Sequence, residues 1–138
     1  MASREVFLDT SALYALIDKR DAHHTKAREA LGALIGARRS LLTSDYIVTE
    51  AVNLANARGG THVALRILEL LERSVGIRIE WIGSERFGRA VAVFRKHADH
   101  RYSLTDCSSF VVMRELELTE ALTTDRHFSE AGFRVLVG

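Results

Sequence analysis

The chain has 138 residues, is 47% hydrophobic and 27% charged, and carries a formal net charge of +1. That is the size of one domain, spanning 1–138, with apolar material for one core and no room for a second of similar size. The lone Cys107 excludes an intrachain disulfide, no apolar run approaches the roughly 18 residues of a membrane span, and "MASREVFLDT" lacks the apolar stretch of a signal peptide, so a cytoplasmic protein is expected.

A strand is predicted from about Glu5 to Leu8, stopping at Asp9, with a helix following through about Asp18. Asp9 fits two roles at that junction. It can cap the helix, or it can present a carboxylate to a metal or phosphate at the end of a strand. "DAHHTKAREALGALIGA" predicts a second helix with Ala27, Leu31, Leu34 and Ile35 on one face. "SLLT" predicts a short buried strand, and "SDYIVTEAVNLANAR" a helix capped by Ser44 and ending at Gly59.

Thr61 is expected to cap "HVALRILELLERS". The apolar face there (Val63, Ala64, Leu65, Ile67, Leu68, Leu70, Leu71) is wider than one core contact requires, which leaves total burial or a partner surface open. "IRIEWI" predicts a strand. Ser84 is expected to cap "ERFGRAVAVFRKHADH", with Phe87, Val91, Phe94 and Ala98 as its apolar stripe. "SLTDCSSFVVMRELEL" predicts a helix, "EALTT" a short strand, and "FRVLV" the closing strand. Strands alternating with helices imply an α/β fold, a mostly parallel sheet flanked by helices. Such sheets take ligands beyond the carboxyl ends of their strands, where Asp9 and Asp125 fall.

Local structure offers each acid a second explanation. Asp125 in "TTDRHF" suits a turn or cap. Asp106 stands three after Ser103, as in a capping box, and an acid in a first turn suits the helix dipole. Glu50 follows Ile47 by three and precedes Leu54 by four, which puts it on or beside the apolar stripe. A carboxylate heading into a core is costly unless a buried cation or a metal meets it. A parallel sheet can bring all four acids to one edge.

At these residues the chain resembles the PIN domain, the ribonuclease domain of VapC-type toxins, over nearly its whole length. "FLDTSAL" matches the strand ending in Asp, Glu50 in "DYIVTEAVNL" the helical acid, Asp106 in "YSLTDCSSF" the helix-start acid, and Asp125 with Phe128 in "TTDRHF" the final motif. The resemblance implies a PIN-like three-layer fold and a Mg²⁺- or Mn²⁺-dependent endoribonuclease. It further implies the toxin of a toxin–antitoxin pair, often a homodimer held inactive by a small antitoxin protein. The wide apolar helix face would then be a dimer interface or antitoxin groove.

All-carboxylate sites suit hard cations. Asp9 and Asp106 are then the expected main metal ligands, and Glu50 and Asp125 complete the site directly or through water. Thr10, Ser11, Ser103 and Thr124 are expected to orient ligands or water, with capping as an equal role for Ser103. "FRKHADHRY" offers Arg95, Lys96 and Arg101 to RNA phosphates, and Tyr102 to a base or to burial. The six histidines show no zinc spacing, and Cys107 reads as a buried thiol. Two rival readings remain. A haloacid-dehalogenase-type phosphotransferase would carry a second acid where Ser11 stands. A PIN-like binding module would keep the acids without catalysis.

Overall fold

A computed structural model of the chain describes residues 4–137. Residues 1–3 and 138, the ends of the expected domain and the start of the stretch read as lacking a signal peptide, lie outside the described residues. The elements run β1 (Val6–Leu8), α1 (Thr10–Ile17), α2 (His24–Gly36), β2 (Leu41–Ser44), α3 (Asp45–Arg58), α4 (Thr61–Arg73), β3 (Ile77–Glu80) and α5 (Gly83–Lys96). A 3-10 turn (Ala98–His100), α6 (Leu104–Glu115), β4 (Glu120–Leu122), α7 (His127–Glu130) and β5 (Arg134–Val135) follow.

The five strands form one sheet in the order β3-β2-β1-β4-β5. Every pairing is parallel, with Val6 opposite Leu41 and Leu8 opposite Leu122. A central strand with neighbours on both sides and helices over both faces must be apolar throughout, and Val6, Phe7 and Leu8 are all fully buried. From β1 the chain steps outward through β2 to β3, then returns past β1 to β4 and β5. Right-handed crossovers in these two directions send the helices of the two runs to opposite faces. The helices accordingly pack as one group, α1 to α4, and another, α5 to α7. The strand order reverses between β1 and β4. The crevice beyond their carboxyl ends is where such a sheet leaves room for a ligand.

Phe128 is buried against Phe7 and edge-on to Phe110, with ring centroids 6.3 Å and 5.1 Å away. Truncating a core phenylalanine costs about 3–5 kcal/mol. This anchor ties the short α7 to the centre of the sheet, and with it the turn that carries Asp125.

Two expected caps hold. The Ser44 hydroxyl accepts from the Ile47 amide at 3.2 Å, and Ser103 with Asp106 closes a reciprocal capping box at the start of α6. Two do not. Gly60 occupies the cap of α4 with φ at +89°, a backbone that disfavours any side chain, so Thr61 is already helical. Ile82 occupies the cap of α5, its amide held by Asp45 Oδ1 at 2.9 Å, so β3 ends at Glu80 and Ser84 lies inside the helix.

The stripe expected on α5 also turns outward. Ala90 is the buried residue, while Phe87 and Phe94 are 43% and 42% exposed. Small Ala90 lets α5 approach α6 closely. Arg86, paired with Glu80 and Glu115, pins the helix in that rotation. On α4, Val63, Ala64 and Ile67 face the core and Leu65 is exposed, so its wide apolar face is mainly a core contact. Among the described residues no helix is long and apolar enough to cross a membrane.

Candidate active site

Asp9 is the residue at which β1 becomes α1. Its backbone is extended, as an N-cap requires, but its side chain caps nothing. It turns instead toward β4, where Thr123 Oγ1 donates to Asp9 Oδ2 at 2.8 Å and Ser11 Oγ lies 3.3 Å from the same oxygen. The register explains the meeting: Leu8 pairs with Leu122, so the next residues, Asp9 and Thr123, emerge side by side. Ser11 Oγ also lies 3.0 Å from Thr123 Oγ1 and accepts from the Thr124 amide at 2.9 Å.

Asp9, Glu50, Asp106 and Asp125 line one cavity of about 280 Å³, together with Thr10, Ser11, Tyr14, Asp21, Leu54, Arg58 and Thr124. The four acids expected to gather therefore do so. Asp106 reaches the cavity from the first turn of α6, and its Oδ2 accepts from the Ser103 amide at 3.1 Å. The capping role of Ser103 thus also orients Asp106. His127 Nδ1 lies 3.2 Å from that same oxygen and 3.4 Å from Asp125 Oδ1, so an Nδ1 proton would bridge the two carboxylates. The His127 amide donates to Asp125 Oδ1 at 2.9 Å, a turn that holds ring and carboxylate together.

Three expectations need correction. Glu50 does not enter the core: it is exposed at the cavity rim, because α3 buries Ile47, Ala51 and Ala55 and leaves the neighbouring flank open. The threonine hydroxyl that touches Asp9 is that of Thr123, not Thr124, whose recorded hydrogen bond is made by its backbone amide. Tyr102 is buried between His100, Phe110 and His127, so its ring is not open to a base. Arg95, Lys96 and Arg101 are exposed and lie outside the lining of the acidic cavity.

Sequence reasoning passed over Thr123, His127, Asp21 and Arg58. For Thr123 the usable signal is register, and for His127 its place two residues after Asp125. Cys107 is buried, and burial pushes its thiol up to about 11, away from the thiolate a nucleophile needs.

Burial pushes the Asp9 carboxyl up to about 7. The Thr123 hydroxyl and the Thr10 amide pull against this, and the charges of Asp106 and Asp125 push with it. Burial also raises Asp106, offset in part by the Ser103 amide. A buried carboxylate crowded by two others and given only neutral hydrogen-bond donors is short of positive charge.

The residues fit a hard divalent cation. The donors are carboxylate oxygens. The Ser11 and Thr123 hydroxyls meet Asp9 on Oδ2, and Ser103 and His127 meet Asp106 on Oδ2, so each carboxylate keeps lone pairs on Oδ1 to offer a cation. Thr10 Oγ1, in the cavity wall, is buried with no hydrogen-bond partner among the described residues. Asp106, Asp125 and His127 offer ligand atoms within 4.8 Å of one another.

The family model for the PIN domain matches residues 6–134. The chain is 30% identical over 128 residues to the 23S rRNA-specific endonuclease VapC20 of Mycobacterium tuberculosis, covering 93% of this chain and 95% of that one. It is 28% identical over 125 residues to Ribonuclease VapC26 of the same organism, covering 90% of each. The crystal structure of M. tuberculosis VapC20, described as a Sarcin-Ricin loop cleaving toxin, superposes with a TM-score of 0.83 at 29% identity over 93% of this chain and 95% of that one. VapBC2 of Rickettsia felis, solved bound to a DNA fragment from its promoter, shares the fold with a TM-score of 0.69 at 11% identity, over 95% and 96% of the two chains.

Proposed function

The chain belongs to the PIN domain family, and from that premise we propose that it is a Mg²⁺- or Mn²⁺-dependent endoribonuclease, the toxin of a toxin–antitoxin pair. The observation that carries this reading is the convergence of Asp9, Glu50, Asp106 and Asp125 on one cavity at the carboxyl ends of β1 and β4, with Asp9 buried and given no cation. Asp9 and Asp106 would hold the ion through carboxylate oxygens, and Asp125 and Glu50 would complete its shell directly or through water. When bound, such an ion supplies positive charge to the scissile phosphate and acidifies an attacking water.

The chain's own groups do the rest. Thr123 and Ser11 fix the Asp9 carboxylate, and Ser103 and His127 fix that of Asp106. Glu50, exposed at the rim, is placed to take a proton from water. Arg95, Lys96 and Arg101, exposed just before the turn into α6, offer a basic approach for RNA phosphates.

We place the protein in the cytoplasm with its RNA. The antitoxin and a homodimer are the expected protein partners, and the exposed Ile79, Trp81, Phe87 and Phe94 give self-association an apolar surface to bury. The phosphotransferase reading loses its ground, because the second-acid position carries the Ser11 hydroxyl, bonded to Asp9 and to the Thr124 amide.

The test is incubation of the purified chain with RNA in Mg²⁺, Mn²⁺ or EDTA. The name of the relative VapC20 makes 23S rRNA the first substrate to try. Discrete cleavage that EDTA abolishes is expected. Undiminished cleavage in EDTA would remove the metal from the mechanism, and RNA binding without cleavage in either metal would leave a binding module.

A further inference from the structure

We propose that Arg58 binds a phosphate of the RNA backbone at the mouth of the acidic cavity. The inference rests on the nuclease reading and adds a substrate contact to it. Glu50, Leu54 and Arg58 recur at four-residue spacing along α3, so they share one helix face, and all three line the cavity. Arg58 is the one basic side chain among the described residues of that lining, which holds five carboxylates: Asp9, Asp21, Glu50, Asp106 and Asp125.

A flexible guanidinium beside so many acids would be expected to fold onto one of them. It does not. Among the described residues Arg58 makes no hydrogen bond and no ion pair. Its recorded contact is with the Tyr14 ring, whose centroid lies 5.8 Å from Cζ. Tyr14 is itself fixed: its ring is buried and its hydroxyl donates to Asp18 Oδ2 at 2.5 Å. The aromatic face steadies the cation while leaving its five N–H donors free.

That is the arrangement a phosphate needs. A guanidinium presents paired donors to two phosphate oxygens, and it supplies the positive charge the cavity wall otherwise lacks. The carboxylates, with their metal, face the scissile group. Arg58 stands two helical turns beyond Glu50, about 12 Å along the α3 axis, so it suits a neighbouring phosphate. A basic residue in the last turn of a helix also relieves the helix dipole, and the experiment separates that role from RNA contact.

RNA binding is measured by fluorescence anisotropy over a salt series in the Asp106→Asn chain, with and without Arg58→Gln. Cleavage KM and kcat, and melting midpoints, are compared between the parent and Arg58→Gln. Affinity should fall about tenfold, and the salt slope should become shallower by about 0.7 for one lost contact to a single strand. KM should rise by a similar factor while kcat changes less and the midpoint stays put. Arg58→Lys should keep the parent's salt slope yet bind less tightly, having charge without the fork. Equal affinity and slope with and without Arg58→Gln overturn the proposal. A lowered midpoint with RNA affinity intact also overturns it, assigning Arg58 to the helix end. A parent chain that binds RNA through Arg58 but cleaves none would sink the nuclease reading alone.

Discussion

Asp9 and Asp18 bracket the same helix and live in opposite circumstances. Asp9 stands at the N-terminus of α1, where the helix dipole favours a negative charge, and Asp18 at the C-terminus, where it does not. Yet burial lifts Asp9 to about 7, while the Tyr14 hydroxyl and then Arg20 hold Asp18 well below the usual carboxylate range. Partners within hydrogen-bond reach outweigh the dipole. Asp18 has a hydroxyl at 2.5 Å, the Arg20 amide at 2.9 Å and the Arg20 guanidinium at 3.2 Å, so its charge is met within the fold. Asp9 has two hydroxyls and the Thr10 amide, and no cation among the described residues. The first carboxylate is finished by the protein, and the second is left for something else to finish.

Activity should break the comparison most sharply. Asp9→Asn should lower RNA cleavage by on the order of a hundredfold or more, while Asp18→Asn, outside the cavity, should retain the larger part. Initial rates in Mg²⁺ and Mn²⁺, with circular dichroism to confirm folding, decide it. Equal rates for the parent and Asp9→Asn would end the distinction.

Stability should separate the two acids next, with opposite signs. Asp9 in the fold lies above its ordinary value of 3.8. Between about pH 4 and 7 the folded state therefore holds a proton that the unfolded state gives up, and metal-free stability falls as pH rises through that window. Asp9→Asn should melt several degrees above the parent near pH 7.5 in EDTA, and the gap should close near pH 4. Asp18 is lowered, so its contribution is present above its ordinary range and is lost as pH falls. Asp18→Asn should melt below the parent at neutral pH and converge with it in acid. Added Mn²⁺ should stabilise the parent more than Asp9→Asn, and more at pH 7.5 than at pH 5.5, because the carboxylates must shed protons to bind. Calorimetry with and without metal reads all of these. A parent melting point indifferent to saturating metal would sink the assignment.

Smaller effects refine the picture. Thr123→Val removes a donor from Asp9 and should weaken metal affinity roughly tenfold at pH 7, measured by titration calorimetry. Cys107→Ser should leave cleavage within about twofold of the parent, despite the position beside Asp106, and complete loss would point to the thiol as a nucleophile.

The acids were legible because strand ends and caps are local. Asp9, Asp106 and Asp125 each sit where a period or a cap residue marks a boundary, and Ser44 and Ser103 cap as their spacing says. What the sequence hid depends on contacts between distant segments. Thr123 meets Asp9 through strand register across 114 positions. His127 gains its meaning from Asp106, which another helix supplies. Glu50 looked buried because helical spacing gives a face but not how far the neighbours cover it. The rotation of α5 followed the small Ala90 and the anchored Arg86 rather than the larger aromatic stripe. Positive φ at Gly60 and the Asp45 contact to Ile82 displaced the caps expected at Thr61 and Ser84.

The pairing of β1 with β4 also sets when a newly made chain can become harmful. Asp9 leaves the ribosome 114 positions ahead of Thr123, and Asp125 and the Phe128 anchor follow Thr123. Contacts this far apart in the chain close late in folding. Until they do, Asp9 has no fixed orientation and Asp125 has no helix turn to hold it. A cell making such a nuclease would be exposed to its activity only once residues 123–128 have followed, and a chain cut short before residue 123 would be an inert fragment.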